Sequence, residues 1–163
     1  MVNTKQNDAM VFALSISEVR GVKKHNVREA IFVEDYGIQN DAHAGKWHRQ
    51  VSLLALESIE RFNSASGLKV SPGEFAENIT TKGVNLLSLP IGSTIKIGND
   101  VVLLITQHGK ECHTNCEIFK LVGKCVMPTE GIFAKVLKGG IVKVGDRIQT
   151  NVGVTIREQS LEQ

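Results

Sequence analysis

Short apolar runs separated by glycine-bearing turns set the pattern of this chain, and most of them alternate or run unbroken as strands do. The first, Val11 to Ser17, is apolar and then alternates, so it predicts a strand; residues 1–9 before it are polar. Val27 to Val33 predicts a second strand, after a turn region holding Gly21 and Asn26. Val51 to Leu54 opens as a strand and passes into a helix. Leu53, Leu56, Ile59 and Phe62 recur at helical spacing, Glu57, Glu60 and Arg61 take the other face, and Asn63 and Gly67 end it. Ser71-Pro72-Gly73 marks a turn, and Phe75 to Thr81 runs on extended.

From Leu89 the pattern is one of hairpins. Gly92 to Val101 and Gly140 to Ile148 echo one another: each is a short strand, a Gly-Asn or Gly-Asp turn and a return strand. Val101 to Thr106 is a continuous apolar run with β-branched residues, which predicts a buried strand. Gly131 to Leu137 fits a short helix or a strand, and after Thr150 one alternation (Val152, Val154, Ile156) gives way to polar residues. Strands dominate. The predicted fold is mainly β, a closed or partly closed antiparallel barrel with a few short helices, because closure removes exposed strand edges.

Two stretches do not fit this scheme. Tyr36 to Gln50 shows neither period and predicts a long loop, a place where function concentrates. In it His43 and His48 flank Trp47, and Arg49 offers a planar fork for an anion. The same residues serve equally as a cap on the core, with His48 bonded to backbone. Glu77 and Asn78, in the extended segment, either position a ligand or satisfy a strand edge.

The other stretch, Gly109 to Phe133, holds all three cysteines. Thr114-Asn115-Cys116-Glu117 matches a capping box. With Thr114 as N-cap, Cys116 falls in the first turn of a short helix through Ile118, Phe119 and Leu121, stopped by Gly123. The partial positive charge of a helix N-terminus favours thiolate, and Lys110, Lys120, His108 and His113 add cationic character. Cys112, one helical turn earlier, is placed to resolve a persulfide or disulfide on Cys116. Two other readings stand beside this one. Cys112, Cys116 and Cys125 with His108 or His113 could form a structural zinc site, though not with paired C-x2-C knuckles. Free cysteines also serve as small buried hydrophobes, the reading preferred for Cys125. Neither a Ser/His/Asp triad nor a phosphate loop can be assembled.

Composition narrows the classes. The chain of 163 residues fills one core and is short for two, and 42% apolar with 22% charged residues is ordinary for a globular protein. A net charge of +2 without a basic stripe argues against nucleic acid. No leader pattern and no apolar run of membrane-spanning length is present, so no membrane partner is expected. An odd number of clustered cysteines points to a reducing cytoplasm.

The segments GIQNDAHAGKWHRQVSLL, FAENITT, GKECHTNCEIF, CVMPTEGIFAKVLKGG and VKVGDRI, in that order, resemble a small stand-alone MOSC domain, named for the C-terminal domain of molybdenum cofactor sulfurases. The resemblance spans residues 10–150, leaving polar extensions at 1–9 and 151–163. It implies a barrel-like, mostly antiparallel fold with a cleft around an essential cysteine. Relatives are linked to sulfur carriage, molybdenum cofactor (molybdopterin) binding and, in larger proteins, reduction of N-hydroxylated compounds.

For this chain the resemblance implies a sulfur carrier with sulfurtransferase-like chemistry at a catalytic cysteine. A cysteine desulfurase or another donor would supply the sulfur, and the molybdenum cofactor or a molybdoenzyme would accept it. The alternative is a cofactor- or metal-binding module without its own turnover. In sulfurases a separate pyridoxal-phosphate domain mobilises the sulfur; no pyridoxal phosphate site is expected in these residues, so that cofactor would belong to a partner. Larger members carry an Arg-Cys pair. Glu111-Cys112 and Asn115-Cys116 both match its place, neither has the arginine, and Lys110 or Arg49 is left to substitute. Counting back from GIFAKVL favours Cys116. His43, His48, Arg49, Glu77 and Asn78 fall in matching segments and are the cleft candidates, with no metal ligands assigned.

Overall fold

A computed structural model describes residues 8–109 and 126–152 of the chain. The strands are β1 (Met10–Ile16), β2 (His25–Val27), β3 (Glu29–Val33), β4 (Gly37–Ile38), β5 (Val51–Ala55), β6 (Ile79–Lys82), β7 (Thr94–Ile97), β8 (Val101–His108), β9 (Ile132–Lys138), β10 (Gly140–Lys143) and β11 (Ile148–Asn151). Two helices accompany them, α1 (Leu56–Ser66) and the single turn α2 (Met127–Glu130), with a 3-10 turn at Leu86–Ser88. The fold is mainly β, as the pattern predicts.

The strands form an eight-stranded sheet in the order β11-β7-β8-β9-β5-β6-β1-β2 and a three-stranded sheet in the order β10-β3-β4. The large sheet curls until β1 meets the chain leading into β11. Met10 bridges Arg147 there, and Val11 N–H donates to the Asp146 carbonyl at 2.9 Å while Ile148 N–H donates to Ala9 at 2.9 Å. Among the described residues no continuous ladder joins these ends, so the sheets are not closed by hydrogen bonds and the expected barrel, closed or partly closed, is not confirmed. Nor is the sheet wholly antiparallel, because β5 and β6 run parallel, Leu53 opposite Ile79. Their connection contains α1, as a parallel pair requires a crossover.

Two local expectations are corrected. The strand expected over Val27–Val33 breaks at Arg28: β2 pairs with β1 and β3 with β10, in different sheets. The hairpin expected at Gly140–Ile148 does turn, but its arms part. β10 pairs with β3, and β11 with β7. Glycine and aspartate fix a reversal of direction; they do not fix which edge each arm joins. The Gly98–Asp100 reversal, by contrast, does join β7 to β8 as a hairpin.

Each residue of β5 is buried, Ser52 included. Val51, Leu53 and Ala55 point into the main core with Val11, Leu14, Ile79, Leu103 and Ile132. Leu54 points the other way, under α1, against Ile59, Phe75, Met127 and Phe133. The helix begins at Leu56 rather than Leu53, since the sheet claims the residues before it. It ends as predicted: Gly67 adopts φ 77° and its N–H caps the Asn63 carbonyl. Among the described residues no helix is long and apolar enough to cross a membrane.

Candidate functional site

The expected cysteine chemistry of Cys112, Cys116 and Cys125, the Thr114 capping box and Lys110 all lie outside the described residues. The two roots of that stretch are described. β8 and β9 are neighbours in the sheet, and their last pair is His108 with Ile132. Beyond it, Gly109 N–H donates to the Gly131 carbonyl at 2.7 Å. Gly109 has φ +66°, and a Cβ there would collide with the Pro128 carbonyl, so only glycine fits this departure point. The chain thus leaves for residue 110 and returns at Val126 through one end of one strand pair.

The Tyr36–Gln50 loop docks on this same end. At Thr106 the β8–β9 register slips, leaving Thr106 as a bulge residue between the pairs Ile105–Ala134 and Gln107–Phe133. Its hydroxyl donates to the His48 carbonyl at 2.6 Å and also lies 3.3 Å from that of Phe133. The Arg49 guanidinium carbon sits 4.7 Å from the Trp47 ring centre and 5.7 Å from that of Phe133. His43, His48 and Arg49 are therefore brought together around Trp47, beside the roots of the cysteine stretch.

Within the loop the ring of His43 lies parallel to that of Trp47, 6.5 Å between centres, and the Trp47 indole N–H donates to the His43 carbonyl at 2.7 Å. His48 meets Trp47 edge-on and is exposed. A second guanidinium, Arg20, stands 4.9 Å from the same indole and donates to the Ala42 carbonyl. Cations over an indole face each contribute about 0.5–2 kcal/mol, more as they lose water. The Arg49 Nε is buried, with no hydrogen-bond partner among the described residues. A guanidinium held between two aromatic rings with an unused donor is an arrangement suited to an anion.

Beneath His43 is a feature the sequence hides. Lys24 and Asp41 form an ion pair at 2.8 Å with both side chains at 0% exposure. The Lys24 ammonium also reaches Ser17 Oγ at 3.1 Å and His43 Nδ1 at 3.1 Å. Asp41 in turn accepts from the backbone N–H groups of Ser17 and His43, each at 3.1 Å. Removing one partner of such a pair strands a buried charge, which costs about 3–5 kcal/mol. Lys23, next in sequence, has a side chain 55% exposed and only a long contact of 3.8 Å with Glu74. Nothing local distinguishes these two lysines. Asp41 was findable, as an Asp two residues before His43 in the irregular loop.

Glu77 and Asn78 are placed otherwise. Both are fully buried, and each side chain bonds to backbone groups of neighbouring segments. Asn78 precedes β6, the strand between β5 and β1. Its Oδ1 accepts from Ser52 N–H at 3.0 Å and its Nδ2 donates to the Ser15 carbonyl at 3.1 Å, so the side chain ties the two flanking strands. Glu77 Oε2 accepts from Gly73 N–H at 2.8 Å and from the Thr80 hydroxyl at 2.7 Å. Burial pushes its carboxyl above the ordinary 4.5, opposed by Gly73, Thr80 and the N–H dipoles of Glu77 and Phe75. Its Oε1 finds no partner of hydrogen-bonding geometry among the described residues. These two residues build the sheet that carries the site, and no described cavity is lined by them.

A groove of about 730 Å³ lies between α1 and Gly83–Leu87, lined by Glu57, Arg61, Glu130, Val84 and Leu86 among others. None of the candidate residues lines it. Among the described residues no three of His, Cys, Asp and Glu converge as metal ligands.

Comparison with known proteins follows this geometry. The family model for the MOSC domain matches residues 40–149, a span that includes His43, Trp47, His48, Arg49 and both roots. The fold resembles the crystal structure of YuaD from Bacillus subtilis, with TM-score 0.75 and 20% identity over 88% of this chain and 96% of that one. YiiM from Geobacillus stearothermophilus gives TM-score 0.64 and 15% identity over 87% of this chain and 74% of that one. YiiM from Escherichia coli gives 0.60 and 16% over 86% and 69%. At these identities the likeness is one of fold. No curated protein matches significantly.

Proposed function

The chain belongs to the MOSC domain family, and from that premise we propose that it carries sulfur as a persulfide on Cys116, in the service of molybdenum cofactor metabolism. The observation that supports this is the convergence at one end of β8 and β9. The chain enters and leaves the cysteine stretch there, and the Trp47 loop with Arg49 is pinned beside it through Thr106. Positive charge near a thiol favours its thiolate, the reacting form.

In the proposed step the Cys116 thiolate attacks the outer sulfur of a donor persulfide. A new S–S bond forms, the donor's S–S bond breaks, and the donor cysteine leaves as thiolate with the electron pair. Cys112 acts afterwards as the resolving thiol: its attack on Cys116 Sγ closes a disulfide and releases hydrosulfide. A cysteine desulfurase is the donor class, a molybdenum cofactor or molybdoenzyme the acceptor, and a reducing cytoplasm the setting. Incubation with a desulfurase and cysteine, followed by intact-mass analysis, tests this. One added sulfur that maps to Cys116, is lost in Cys116→Ser and is kept in Cys125→Ser is the expected result; loading retained in Cys116→Ser would sink the assignment.

A second reading, a cofactor-binding module without turnover, is favoured by one specific observation, the buried Nε of Arg49, which has no hydrogen-bond partner among the described residues. The residues fit the anionic part of a molybdenum pterin: Arg49 and Arg20 would hold a phosphate, and Trp47 would flank a planar ring. The metal would supply the redox and sulfur-binding chemistry, and cysteine would be its protein ligand. Near-stoichiometric molybdenum in the purified protein, reduced about tenfold or more in Arg49→Ala, is the outcome that would favour this reading over the first.

A further inference from the structure

The Lys24–His43 contact has a chemical consequence. A lysine ammonium has three donors and no acceptor. Lys24 Nζ lies within hydrogen-bonding distance of Asp41 Oδ1 at 2.8 Å, Ser17 Oγ at 3.1 Å and His43 Nδ1 at 3.1 Å. His43 Nδ1 can join that set only through its lone pair, so it carries no proton, and the proton of the neutral ring is on Nε2. We propose that Lys24 is a positioning residue that fixes His43 as a neutral, Nε2-protonated imidazole, making His43 a hydrogen-bond donor at the site rather than a cation or a base.

The charges around His43 favour this state. Protonating Nδ1 would set an N–H against the Lys24 ammonium and break their hydrogen bond. Asp41 Oδ2 opposes this from 3.8 Å, farther than Lys24 and already accepting from His43 N–H at 3.1 Å. Arg20 and Arg49 both stand over the Trp47 ring that His43 parallels, so they add positive charge to the same cluster, and His48 meets that indole edge-on. The ring plane is set by its parallel contact with Trp47. The assignment deepens the carrier reading, since it leaves the two guanidiniums as the fixed positive charge beside the site, the Lys24 charge being matched by Asp41, and makes His43 a hydrogen-bond donor to a sulfur anion or to a ligand.

The test is a long-range ¹H–¹⁵N correlation of the histidine rings across about pH 5 to 8, with His43→Gln supplying the assignment. The chain as it stands is compared with Lys24→Met/Asp41→Asn, in which both buried charges are removed together so that neither is stranded. In the native chain His43 is expected to show an unprotonated Nδ1 and a protonated Nε2, and to titrate at least about one pH unit below its midpoint in the double variant. A proton on Nδ1 in the native chain, or a midpoint equal to or above that of the double variant, would overturn the assignment. Sulfur loading is read on the same samples. A native chain that shows this tautomer and takes no sulfur fails the carrier reading and keeps the assignment of Lys24.

Discussion

Replacing Asn78 by alanine separates a ligand-binding asparagine from a structural one. In the fold its main chain already bonds both neighbours: Asn78 N–H donates to the Ser52 carbonyl at 3.0 Å, and Ser15 N–H donates to the Asn78 carbonyl at 2.8 Å. The side chain repeats the pattern, accepting from Ser52 N–H at 3.0 Å and donating to the Ser15 carbonyl at 3.1 Å. Alanine leaves one donor and one acceptor of the main chain without these partners at a site with 0% exposure. Each buried orphan costs about 1–3 kcal/mol, so Asn78→Ala should lose about 2–6 kcal/mol. With a urea slope of about 2 kcal/mol per M, a loss of about 3 kcal/mol lowers the midpoint by about 1.5 M at unchanged slope. Asn78→Asp sharpens the test. It keeps the oxygen that faces Ser52 but sets a second oxygen against the Ser15 carbonyl, and its charge is buried. At neutral pH it should be no more stable than the alanine variant, and acid should narrow the gap, because a protonated carboxyl can donate to Ser15. Urea melts of the three proteins at neutral and mildly acidic pH measure this. A loss below about 1 kcal/mol for Asn78→Ala would refute the bridging role assigned to this side chain.

Two further outcomes follow from the same geometry. Because burial raises the folded-state pKa of Glu77 above 4.5, its contribution is fully present below the unfolded value and is lost as pH rises through the folded one. The stability of the native chain relative to Glu77→Gln should thus fall with rising pH across that window, and urea melts from about pH 4 to 8 showing a rise instead would contradict the burial argument. Gly109→Ala must clear the Pro128 carbonyl at φ +66°, so a loss of about 1–3 kcal/mol is expected, read by thermal denaturation, with an unchanged melting temperature as the contrary result.

What the sequence determined by itself was local. The apolar run that opens β8, the helix stop at Gly67, the turn before Val101 and the irregular loop around Trp47 are properties of short windows, where period and turn chemistry act directly. Five ordered segments carried the family. The candidates that lie within one loop, His43, His48 and Arg49, do meet, because a single indole gathers them.

Tertiary structure decided everything that needs a partner from far along the chain. The arms of the turn at Lys143–Asp146 part to different sheets because edges elsewhere accept them. Glu77 and Asn78, polar residues in an extended run, have the same local signature whether they face a ligand or bridge strands. Only the parallel pairing of β5 with β6, made by a crossover, puts Ser52 and Ser15 on either side of Asn78. Lys23 and Lys24 are identical to any window, yet one side chain is 55% exposed and the other 0%. Burial of a charge depends on whether a carboxylate arrives to receive it, and Asp41 arrives through a loop whose docking on β1 and β8 no local pattern encodes.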